Sequence, residues 1–124
     1  MDTHVALWWV NAHEKLSPKA RAVLLNEAYT LYFSMASVWE VAIKRSLGKL
    51  PGLHGGIRQL LAKMEEMPIC LLPLMPRHME VVEALPFLHR DPFDRLLVAQ
   101  AKAEGMAVLT ADENIPKYDV LSAW

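Results

Sequence analysis

Asp91-Pro92-Phe93-Asp94-Arg95-Leu96-Leu97-Val98-Ala99-Gln100-Ala101 and, just beyond it, Ala107-Val108-Leu109-Thr110-Ala111-Asp112 decide the fold. Asp91 is a helix N-cap, and proline in the first helical position has no amide hydrogen to waste. Leu97, Val98 and Ala101 form one apolar stripe, and Gly105 closes the helix after Glu104. Ala107 to Thr110 is then a short, continuously apolar run, which suits a strand buried on both faces. A helix leading directly into a buried strand is the unit of a parallel sheet covered by helices.

The rest of the chain repeats this alternation. Thr30 to Ser34 and Ile69 to Leu72 are two further short apolar runs, both expected as buried strands. Between and around them lie helical patterns: Ser17-Pro18 to about Ala28, Ser34 or Ser37 to Leu47, Ile57 to Met67, and Pro76 to Leu85. Thr3 to Val10 is too crowded with apolar residues for a surface helix, and a last strand is expected at Val120-Leu121. Neither repeats nor linkers interrupt the 124 residues, so one α/β domain over 1–124 is expected.

Composition excludes several classes of function. Thirteen basic and fourteen acidic residues give a net charge of −1, so a polyanion would have to meet a local basic patch. No apolar run is long enough to span a bilayer, and nothing resembles a secretory leader. The single cysteine, Cys70, lies in an apolar run and is expected as a buried, inert thiol in a reducing, cytoplasmic setting. The five histidines lack zinc-ligand spacing, no glycine-rich phosphate loop is present, and Ser34 and Ser37 lack a nucleophile elbow.

Carboxylates carry the remaining signal. Ligands of open parallel sheets bind beyond the carboxyl ends of the strands. Asp112 stands two residues past the strand ending at Thr110, Glu40 in the helix after Leu31-Tyr32-Phe33, Asp94 in the first turn after Asp91-Pro92, and Asp2 before the first helix. Glu40 is the only charge between Met35 and Ile43; it either faces a site or bridges to Lys44 one turn on. Asp94 could serve the helix dipole and Asp112 an Asx-turn, so each signal alone is weak. A site built from oxygen ligands would suit Mg²⁺ or Mn²⁺ and not zinc.

Four blocks of the sequence resemble one family. Asp2-Thr3-His4 with Leu7-Trp8-Trp9, Ser34-Met35-Ala36-Ser37-Val38-Trp39-Glu40 with Ile43-Lys44 and Leu47-Gly48-Lys49-Leu50, Asp91-Pro92-Phe93-Asp94-Arg95-Leu96-Leu97, and Leu109-Thr110-Ala111-Asp112 are similar to the motifs of PIN-domain ribonucleases. Specifically, they resemble VapC-type toxins of type II toxin–antitoxin systems. The resemblance implies a three-layer sandwich whose parallel sheet of about five strands has the order 3-2-1-4-5. Only Met1 precedes Asp2 where family members carry an apolar strand, so that first strand is expected to be cut short.

The resemblance further implies that Asp2, Glu40, Asp94 and Asp112 hold the Mg²⁺ or Mn²⁺ ions, with Thr110 as a polar orienter beside them. It implies hydrolysis of RNA to a 5′-phosphate and a 3′-hydroxyl, a cognate antitoxin, and a homodimer. Lys44, Arg45, Lys49, Arg90 and Arg95 stand near the acids and are the candidates for contact with RNA. Trp8, Trp9, Trp39, Met35, Met64 and Met67 exceed what so small a core should need, and suggest a protein-binding face. Two alternatives stay open: a PIN-like binding or scaffold module without catalysis, and a phosphatase with Asp2 as nucleophile, against which His4 stands where a second aspartate would be needed.

Overall fold

Most helices begin where the sequence supplies a cap. The computed structural model describes residues 1–124. Asp2 caps α1 (Thr3–Asn11) by accepting the Val5 amide at 2.8 Å. Ser17 caps α2 (Pro18–Leu25), and Ser34 caps α3 (Met35–Ser46). Asp91 caps α6 (Pro92–Glu104), its Oδ1 accepting the amides of Phe93 at 2.9 Å and Asp94 at 3.1 Å. Gly105 ends α6 at φ 66°, a left-handed conformation that favours glycine. Helices α4 (Gly56–Glu66) and α5 (Pro76–Ala84) complete the set, with short 3₁₀ turns at His13–Lys15 and Ile115–Tyr118.

Thr3–Val10, which looked too apolar for a surface helix, is helical because α1 is a partly enclosed one. Val5 and Ala6 are fully buried, while Trp8 and Trp9 are half-buried against Trp124 and His13.

The strands form two parallel pairs rather than one five-stranded sheet. Strand β1 (Leu31–Ser34) pairs with β2 (Ile69–Leu72), and β3 (Val108–Leu109) pairs with β4 (Ser122–Ala123). Residues 1 and 2 stand where the strand joining them would be. The Met1 amine donates to the Tyr32 carbonyl at 3.0 Å, and the Asp2 amide donates to the Leu109 carbonyl at 3.0 Å. Strands in the order β2, β1, residues 1–2, β3, β4 correspond to 3-2-1-4-5, so the expected topology survives with fewer paired strands. Two residues cannot make a ladder, and the sheet therefore divides there. Burial pushes the Met1 amine down to about 6, against the opposing pull of the Asp2 charge.

An apolar cavity of about 330 Å³ lies between the half-sheets, lined by Met1, Leu31, Tyr32, Leu97, Val108 and Leu109 among others. None of the four expected site acids lines it.

Strand β2 departs from expectation. Ile69 is buried, but Cys70 and Leu71 are exposed, because β2 is an edge strand with one free side. The inert buried thiol expected at Cys70 is thus an exposed one. The surplus of apolar residues also shrinks on inspection: Met64 is buried, Met35, Met67, Trp8 and Trp9 are half-buried, and Trp39 alone of the six is exposed.

Phe33 is fully buried with Val41, Leu60 and Met64 in the core between β1, α3 and α4. Replacing it by alanine removes that burial and leaves a cavity. Phe33→Ala is expected to lower stability by about 3–5 kcal/mol, read as a reduced urea midpoint. On the far side, Ser34 donates to Gln100 and His78 contacts Glu104 at 2.7 Å, a buried polar column that ties β1, α6 and α5 together. His78 and Arg77 hold the Glu104 carboxyl below its usual range.

Candidate active site

Asp94 is the centre of the site. Its carboxyl lies in the first turn of α6, one-fifth exposed, on the Asp91-capped end of the helix. Helix α3 packs against α6 and carries Glu40, which is 4% exposed. Asp112 follows β3 by the three-residue step Thr110-Ala111-Asp112. Burial raises the Asp94 pKa from 3.8 to about 7, and the charges of Asp91, Asp112 and Glu40 push the same way, as does a contact with the Asp112 carboxyl. Charges from three separate segments therefore act on one carboxyl group that holds a proton near neutrality.

Asp2 is placed differently. It is 4% exposed and is bonded to the Val5 amide through Oδ1 and to the Thr110 hydroxyl through Oδ2. Its charge is not among those acting on Asp94. The Thr110 hydroxyl also accepts the Asp112 amide at 2.9 Å, so one side chain spans Asp2 and the loop carrying Asp112. Asp112 in turn accepts the Asn114 amide at 2.8 Å through Oδ1, the Asx-turn role its sequence position suggested.

Glu40 combines the two roles weighed for it. Its Oε2 accepts from Lys44 Nζ at 2.7 Å, the expected i+4 bridge, while Oε1 accepts the Thr3 hydroxyl at 2.6 Å. Thr3 is buried, and its place beside Asp2 in the chain gave no sign of this contact.

His89 was missed as well. Its Nε2 stands 3.4 Å from Asp94 Oδ2, and its Nδ1 is 2.6 Å from the Tyr118 hydroxyl. No motif spacing links His89 to Asp94; it comes into contact only because the loop after α5 folds back over Tyr118.

The basic residues divide. Lys44 is bound to Glu40 but keeps a third of its side chain exposed. Arg45 donates to the Leu53 carbonyl at 3.3 Å, while Lys49 and Arg90 are exposed. Arg95, read from sequence as a possible RNA contact, is 7% exposed and donates to the Pro86 carbonyl and the Tyr118 hydroxyl, so its guanidinium is used inside the fold.

The donor chemistry suits a hard divalent cation. Carboxylate oxygens are the ligands such ions prefer, and a carboxyl kept protonated by burial and by neighbouring acids could be neutralised by a cation instead. Nowhere do three His, Cys, Asp or Glu side chains gather closely enough to enclose an ion, and Asp2 and Glu40 are bonded to Thr110 and Lys44. Asp112 and Glu40 both stand near enough to act on the Asp94 carboxyl.

Thr110 can be tested through its dual contact. Thr110→Val removes both hydrogen bonds without changing side-chain shape. If the acids work together, it should cost about 10- to 100-fold in activity, the usual effect of losing a residue that orients ligands. A steady-state comparison with the wild type measures this.

Fold and site together define an α/β protein with an acidic cluster beyond the carboxyl ends of parallel strands. The sequence model of the PIN domain matches residues 1–121, and the chain belongs to the PIN-domain family, whose members are generally nucleases. No curated protein matches the sequence. Among solved structures, the chain is similar to VapBC2 from Rickettsia felis bound to a DNA fragment from their promoter. The TM-score is 0.71 at 14% identity, over 98% of this chain and 93% of that one. At that identity the likeness speaks for the fold. No helix of the chain is long and apolar enough to cross a membrane.

Proposed function

We propose that this chain is the toxin of a VapC-type toxin–antitoxin pair, an endoribonuclease that depends on Mg²⁺ or Mn²⁺. The observation that carries the reading is the half-buried Asp94 carboxyl in the first turn of α6, whose pKa burial first and then the charges of Asp91, Asp112 and Glu40 raise to about 7. Proteins keep such clusters where charge must be held for chemistry.

Asp94 and Asp112, joined by Glu40 and Asp2, would hold the ions. A divalent cation there would supply Lewis acidity toward a phosphodiester and acidify an attacking water. The chain's own groups prepare that site. Asp94 gives up its proton so that the pair becomes a ligand, and His89 steadies Oδ2 from one side. Thr110 fixes the orientation of Asp2, and Thr3 does the same for Glu40. Lys44, with its ammonium partly in solvent, can turn from Glu40 toward a phosphate oxygen, and Lys49 and Arg90 extend the positive charge along an RNA backbone.

Partners follow from the same reading. The similar Rickettsia felis structure is a VapBC2 assembly, which supports an antitoxin for this chain. A homodimer and a cytoplasmic location belong to the proposal, in keeping with the absence of a helix able to cross a membrane.

A binding module without catalysis is the second reading. It is favoured by Lys44 already neutralising Glu40 and by the lack of three acids closed around one point. The deciding assay offers purified protein a pool of tRNA and rRNA with Mg²⁺ or Mn²⁺, then with chelator. Cutting that stops on chelation supports the nuclease. RNA binding without cutting, equally strong in chelator, supports the module.

A further inference from the structure

Trp39 and Phe93 are the residues immediately before Glu40 and Asp94, on the two helices that bring those acids together. Their rings meet 5.2 Å apart at 72°, an edge-to-face contact across the α3–α6 junction. Val38, Glu40 and Val41 around Trp39 are buried, yet Trp39 itself is 57% exposed. The other three tryptophans are half-buried, with Trp8 against Trp124 and Trp9 stacked on His13. A tryptophan left in water forfeits most of what its burial would contribute, so its placement calls for a ligand.

Location narrows the ligand. Tyr29, equally exposed, precedes β1 and so lies at the opposite end of the strands from the acids. Trp39 lies at the acid end, beside two of the carboxylates. Its ring is held from one side by Phe93, which orders it before anything binds. A flat aromatic surface fixed beside a phosphate-handling centre matches one chemical object, the base of a nucleotide attached to that phosphate. Stacking on a protein ring requires a base not already stacked in a duplex.

We propose that Trp39, braced by Phe93, is a stacking platform for an unpaired nucleobase next to the scissile phosphate. The inference rests on the nuclease reading of the carboxylates. It adds a binding residue that touches substrate and a reason for the enzyme to reject duplex.

The test uses the full chain with Ca²⁺ in place of Mg²⁺ to slow cutting. The probes are single-stranded RNA oligonucleotides carrying 2-aminopurine at successive positions, and the same sequences annealed to complement. Stacking on tryptophan quenches 2-aminopurine. The expected result is quenching at one or two positions with wild type and Trp39→Phe, lost in Trp39→Ala together with about 10-fold or more of affinity. In Mg²⁺, Trp39→Ala should raise KM and leave kcat near wild type. Duplex should bind weakly to every variant.

Equal affinity and quenching in Trp39→Ala would overturn the platform, as would wild type binding duplex as well as single strand. Equal loss in Trp39→Ala and Trp39→Phe would also overturn it, pointing to an indole-specific or packing role. If Trp39→Ala binds RNA normally but loses a protein partner, the face belongs to that partner and the proposal falls. Failure of the nuclease reading looks different: wild type then cuts neither substrate in Mg²⁺.

Discussion

Asp94→Asn and Asp112→Asn should each abolish RNA cleavage, lowering kcat by roughly a thousandfold or more while the protein stays folded. Asp94 is held protonated near neutrality by burial and by the charges of Asp91, Asp112 and Glu40, with Asp112 also acting through its carboxyl. Asparagine keeps the shape of aspartate but removes the charge that a cation needs, so packing survives and ligation does not. Losing a group that merely orients a ligand costs about 10- to 100-fold, and losing the ligand itself must cost more.

Residues that act as one unit are strongly non-additive. The double substitution should therefore be scarcely worse than either single one. Single-turnover rates over a range of Mg²⁺ settle the matter. A rate within tenfold of wild type in either single variant would remove that residue from the site. Multiplying losses in the double would show that the two carboxyls act independently.

The placement of Asp2, Asp94 and Asp112 was legible in the sequence because they sit at helix and strand ends, where local chemistry is strict. Asp91-Pro92 fixed the start of α6, and with it the place of Asp94 in the first turn. The strand before Asp112 was announced by the apolar run Ala107, Val108 and Leu109, free of charge. What escaped depends on contacts between distant segments. The bond from Thr3 to Glu40 links residues 37 apart, and His89 reaches Asp94 only through a loop anchored on Tyr118. Arg95 shows the reverse error. An arginine beside an acid looks like a phosphate ligand in sequence, but its helix turns it inward to the Pro86 carbonyl and Tyr118, with Phe87 lying 4.5 Å beneath the guanidinium. Cys70 and Leu71 misled similarly, since an apolar run does not reveal whether its strand lies inside the sheet or at its edge.

The same cluster should make stability depend on pH and on divalent ions, in directions set by Asp94. Its pKa is about 7 in the folded chain and near 3.8 when unfolded. The folded state thus binds this proton more tightly, and protonation favours folding. That contribution is fully present below pH 3.8 and is lost as pH rises through about 7. At pH 8 the chain carries the whole unfavourable cluster, costing at most about 4 kcal/mol and less to the extent that solvent screens the exposed fifth of the side chain.

Asp94→Asn carries no such proton. In chelator its stability advantage over wild type should grow between pH 4 and 7 and level off above. Adding Mg²⁺ at pH 8 should raise the wild-type melting temperature and leave Asp94→Asn unmoved, because a ligand that binds only the folded chain stabilises it by mass action. Urea titrations of both proteins at pH 4, 6 and 8, with and without Mg²⁺, give every term. An advantage that does not change with pH would mean that Asp94 is not held protonated by its neighbours. An equal response of both proteins to Mg²⁺ would place cation binding elsewhere, and with it the chemistry assigned to Asp94.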